Sequence, residues 1–109
     1  MPATLNNCKS SRELISRLPY TMNVHRHSHD FYGVMQHSLS YDPSEVHNGW
    51  LNGDIDFATN GNYFTIFFDD EENSKQFSYQ VDIGKVDCKL SVIRNLKGND
   101  YKILIESAK

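Results

Sequence analysis

GDIDFATNGNYFTIFFDDEENSKQFSYQVDIGKV, residues 53–86, is the stretch that decides the fold. Ile55 and Phe57 alternate with Asp54 and Asp56, and a period of two sorts side chains onto the two faces of a strand. Asn60-Gly61-Asn62 supplies residues that tolerate positive φ, so the chain can turn back into Tyr63-Phe64-Thr65-Ile66-Phe67-Phe68, its most apolar run. That pair is expected to form a β-hairpin. Beyond an acidic loop, Phe77, Tyr79, Val81 and Ile83 alternate with Ser78, Gln80 and Asp82 and predict a third strand. A central strand that is apolar on both faces needs a covering layer or a closed barrel.

The totals fit a single folded domain over 1–109, with 39% hydrophobic and 23% charged residues among 109. A net charge of −3 with scattered Lys and Arg argues against nucleic acid as a partner. No apolar run reaches the roughly 20 residues of a membrane helix, and the N-terminus lacks the basic and apolar regions of a signal peptide. The expected location is therefore cytoplasmic, with Cys8 and Cys88 reduced.

Outward from the central stretch, the elements are shorter. Ser10-Ser11-Arg12-Glu13 fits a capping box, so a helix is expected near 10–18, with Leu14, Ile15 and Leu18 as its apolar stripe and Pro19 as its stop. Tyr20, Met22 and Val24 alternate with polar residues in a strand. His25-Arg26-His27-Ser28-His29-Asp30 has no apolar residue and predicts a loop or hairpin end. Phe31-Tyr32-Gly33-Val34-Met35 resumes as a strand whose glycine suggests a bulge or close backbone approach. Residues 38–52 form a long loop, with Trp50 and Leu51 as its large apolar anchors. Asp87 is placed to cap a second short helix near 88–97, with Leu90, Ile93 and Leu96 on one face and Gly98-Asn99 ending it. Tyr101, Ile103 and Ile105 close the chain as a strand.

Taken in order, SRLPYTMNV, FYGV, GDIDFATNGNYFTIFF and VDIGKV resemble the bacterial cyclophilin-like domain family. The matching places are Leu18-Pro19, Gly53-Asp54-Ile55, Ile66-Phe67-Phe68 and Ile83-Gly84-Lys85-Val86. The resemblance implies a mainly β fold, a closed or nearly closed antiparallel barrel with the two short helices. It also implies a first strand that this chain lacks, so one barrel edge would be open or covered by a second copy in a homodimer. Thr59 stands where the family tends to have a proline.

Three functions are weighed. Peptidyl-prolyl isomerisation needs an apolar pocket and an arginine on the substrate amide, and the Phe-His-Arg and Gln-Gly-Gly-Asp-Phe segments of the true cyclophilins are absent; Val24-His25-Arg26 is the nearest string. Metal binding rests on His25, His27 and His29, whose i, i+2 spacing would put three imidazoles on one face of an extended segment with His37 or Asp30 nearby, but an exposed polar loop is the better account of them. The favoured reading is a non-catalytic module that binds a small molecule or peptide. By analogy with the cyclophilin-like pocket its contacts would be Trp50, Phe57, Tyr63 and Phe67, with Asp54 or Arg26 as polar groups. No flavin or nucleotide motif is present, so no cofactor is expected. The acidic run at 69–72 reads as a solvated guard on the apolar strand before it, and Asp54 with Asp56 as a solvated pair.

Overall fold

The computed structural model describes residues 1–77 and 79–108. Along the chain lie β1 (Ala3–Leu5), α1 (Lys9–Ser16), β2 (Tyr20–Arg26), β3 (Asp30–Val34), β4 (Val46–Asn48), β5 (Asp54–Ala58), β6 (Tyr63–Phe67), β7 (Tyr79–Val86), α2 (Leu90–Arg94) and β8 (Asp100–Ile105), with 3₁₀ turns at Pro43–Glu45 and Glu71–Gln76. The strands form one antiparallel sheet in the order β1-β7-β5-β6-β3-β2-β8, and β4 joins β7 off that path. The fold is mainly β, a half-barrel whose path ends at β1 on one side and β8 on the other.

The concave face is filled. Met22, Val24, Phe31, Ile55, Phe57, Phe64, Val81 and Ile83 point into it from the strands, and Leu14 of α1 and Ile93 of α2 close it from above, both with no exposed surface. Phe57 opposes Phe64 in the register and both are buried, which is how cross-strand aromatic pairs hold a hairpin together. Gly33 sits where β3 crosses close to β2: a Cβ there would collide with the carbonyl oxygen of Asn23 and meet Met22 Cε at 2.8 Å. The close approach expected at this glycine is what the backbone shows.

Several local expectations change. The cap of α1 is Cys8, whose Sγ accepts from the Ser11 amide at 3.4 Å. Ser10 and Ser11 are instead buried and tie the helix to its surroundings through the carbonyls of Ser40 (2.7 Å) and Ile83 (3.2 Å). Ile15 and Leu51 are exposed; of the two expected anchors of the long loop Trp50 is buried as expected, and Leu39 is buried as a second one. That loop also contains β4, too short for periodicity to reveal. Asp87 accepts from the Thr4 hydroxyl at 2.7 Å and Lys89 holds the cap position of α2. Phe77 lies before β7, not in it, and the Ser78 of the predicted alternation lies outside the described residues. Tyr79 faces out while Gln80 is buried, and the β5–β7 register slips between Ile55 and Asp56.

Candidate functional site

The convex face of the same sheet carries a cleft of about 400 Å³. Register explains its floor. Asp30 and Tyr32 of β3 oppose Phe67 and Thr65 of β6, and Tyr63 of β6 opposes Ala58 of β5, so these side chains share the face that Phe31, Phe64 and Phe57 leave. Gln80 reaches the floor from β7. Trp50, Phe77, His27 and His29 make the walls.

Trp50 organises the apolar end. Its ring stacks on Phe67 with centroids 4.0 Å apart and planes 8° from parallel, and His29 lies 4.7 Å from it on a tilt. Phe77 completes the group at 4.9 Å from His29 and 5.5 Å from Trp50. The tryptophan is held by polar bonds at both ends. Its indole N–H donates to the Asp69 carbonyl at 2.8 Å, and its backbone N–H donates to the buried Ser74 hydroxyl at 2.9 Å, which itself donates to the Glu71 carbonyl. The acidic run after β6 thus leads into a 3₁₀ turn over Glu71–Gln76 whose backbone supports Trp50, while the Glu71 and Glu72 side chains stay exposed, as a solvated run requires. Phe77 is 45% exposed and is the one ring of this group open to solvent over much of its surface.

The polar end is the β2–β3 turn. His27 N–H donates to the Asp30 carbonyl at 2.7 Å and closes it. One donor atom from each of His27, His29 and Asp30 lies within 4.8 Å of the others. His29 and Asp30 are buried, and Nδ1 of His29 faces Asp70 Oδ2 at 3.4 Å. Burial raises the Asp30 carboxyl above its ordinary range, against the pull of His29 and His27. Asp30 Oδ1 and Gln80 Oε1 are buried with no hydrogen-bond partner, while Gln80 Nε2 donates to the Gly49 carbonyl.

Of the residues expected to bind a ligand, the structure brings Trp50, Tyr63 and Phe67 together in the cleft. Phe57 is not among them, because its parity on β5 turns it into the core. Arg26 is at the far side: its guanidinium stacks over Phe31 at 4.6 Å and donates to the carbonyls of Leu96 and Gly98. Asp54 belongs to a separate group with Asp56 and Asp82. Asp56 has no exposed surface, which corrects the solvated pair, and burial pushes its carboxyl up to about 9, helped by Asp54 and Asp82. Among the histidines, His25 leaves the other two, since its Nδ1 pairs with Asp100 at 2.6 Å and the turn reverses the chain before His29. Phe77 and Gln80 were missed as cleft residues and Asp30 was considered only as a partner of the histidines, yet parity relative to Phe31 and Val81 was a usable signal for Asp30 and Gln80.

A family model described as a cyclophilin-like family matches residues 1–106. No curated protein and no solved structure matches the chain. No helix among the described residues is long and apolar enough to cross a membrane.

Proposed function

Since the chain belongs to the cyclophilin-like family, matched over 1–106, we propose that it acts as a binding module without chemistry of its own, taking a small planar or apolar group on the convex face of its half-barrel. That group is a free small molecule or the side chain of a peptide segment. The observation that carries this reading is the Trp50–Phe67 stack, flanked by His29 and Phe77 and standing in an open cleft of about 400 Å³. Phe77, open to solvent at the rim, gives a flat guest a ring face beside the buried Trp50–Phe67 stack, and one or two polar groups then set its orientation. Gln80 Oε1 supplies such a group, because it is a buried acceptor with no partner. An isomerase would need its arginine over the substrate amide, whereas Arg26 is bound to backbone carbonyls away from the cleft.

Trp50 is the one tryptophan of the chain, so its fluorescence reports the cleft directly. Titration with a panel of planar aromatic compounds and proline-containing peptides is expected to give a saturable change for some of them, weakened by Phe77→Ala. A flat response across the panel would count against a cleft that binds.

A further inference from the structure

We infer that the turn carrying His27, His29 and Asp30 is a site for a borderline divalent metal of the zinc class, seated at the polar end of the cleft. Two imidazoles and a carboxylate are a recurrent donor set for such ions, and three protein ligands leave a position for water or a guest. The three donor atoms lie within 4.8 Å of one another. Ligands around a tetrahedral zinc sit about 3.5 Å apart, so small side-chain rotations close the set.

The surroundings favour a held ion over a loose polar turn. The turn is pinned by the bond from His27 N–H to the Asp30 carbonyl. The His29 ring is lodged between Trp50 and Phe77, with the Ser28 hydroxyl at 3.3 Å and Asp70 Oδ2 at 3.4 Å beside its Nδ1, the kind of polar neighbours that orient metal-bound histidines. Asp30 is buried, and its Oδ1 has no hydrogen-bond partner, a costly state that a cation relieves. His25 takes no part, being paired with Asp100. The inference deepens the cleft reading and rests on it only in that the metal's open position would face the bound group.

The test uses the 109-residue chain freed of metal by chelation, then titrated with Co²⁺ and Zn²⁺ and followed by Co²⁺ ligand-field absorption and by melting temperature. Saturable uptake of one equivalent and a Zn²⁺-dependent rise in melting temperature are expected. Both His27→Ala and Asp30→Asn should weaken binding at least about tenfold, and His25→Ala should leave it unchanged. His27 is exposed, so its loss spares the packing. Absence of saturable Co²⁺ uptake, or uptake indifferent to His27→Ala and Asp30→Asn, overturns the site. Trp50 quenching by aromatic compounds, run in chelator, separates the two ideas: saturation there without metal uptake removes the metal and keeps the cleft.

Discussion

Asp56 and Asp82 oppose one another across β5 and β7, and the Asp56 carboxyl has no exposed surface and accepts no hydrogen bond. A charged carboxylate in that place would be both desolvated and beside two like charges, Asp54 and Asp82. Keeping its proton resolves the conflict, because the acid can then donate to Asp82.

Stability should therefore fall with rising pH. Asp56 stands at about 9 in the folded chain, against about 3.9 for a free aspartate. Between those values the native state holds a proton that the unfolded chain has released, so the contribution is complete below about pH 4 and is lost as pH climbs toward the folded value. Asp56→Asn keeps the shape and a donor while removing the ionisation. Urea unfolding should find it more stable than the parent at about pH 8, with the gap closing toward about pH 4. Parallel pH profiles for the two proteins would show that Asp56 is not the titrating group.

Gly33→Ala should destabilise the chain by about 1–3 kcal/mol, because the added methyl drives into the Asn23 carbonyl and the end of the Met22 side chain. The cause is overpacking, so a lowered denaturation midpoint with an unchanged slope is expected. A substitution that is neutral would mean that β2 and β3 do not approach as closely as they do here.

Period-two reasoning made the hairpin at 53–68 legible, and the match over 1–106 shows the family that the quoted motifs resemble. It was less sure about faces. Tyr63-Phe64-Thr65-Ile66-Phe67 is apolar on both sides, so nothing within that run says which side is covered by helices and which by Trp50. Placing Phe57 with Tyr63 and Phe67 ignored the register, in which Phe57 opposes Phe64 and Ala58 opposes Tyr63. Other misses were tertiary. Burial of Ser10, Ser11 and Asp56 depends on what packs over them, and a three-residue strand such as β4 exists only because β7 is there to receive it.

Glu13 ties α1 to the segment that follows β3. Its carboxylate accepts from the Ser40 hydroxyl at 2.8 Å, the Ser40 amide at 2.9 Å and Arg17 at 2.9 Å, and these hydrogen bonds hold its pKa below the ordinary range. Glu13→Ala is expected to cost about 1–2 kcal/mol. The sign is opposite to that of Asp56: a lowered folded pKa gives stability that is present above the free value of about 4.3 and lost as the solution is acidified below it. Unfolding midpoints for the two proteins should converge in acid, and a gap that persists there would assign the loss to packing rather than to the carboxylate.

Phe67 and Phe77 both touch Trp50, but only one of them is part of the fold's foundation. Phe67 is 4% exposed under the indole, whereas Phe77 is 45% exposed at the rim. Removing the first leaves a hole beneath Trp50, and Phe67→Ala should cost about 3 kcal/mol or more. Removing the second takes a half-solvated ring from the edge, and Phe77→Ala should cost no more than about 1 kcal/mol while widening the cleft. Thermal melting set beside Trp50 fluorescence would separate them: a cleft that serves a guest loses affinity with Phe77→Ala at nearly constant melting temperature. Equal destabilisation by both substitutions would instead make Phe77 a structural cover for Trp50, and the wall it forms would no longer be available to a ligand.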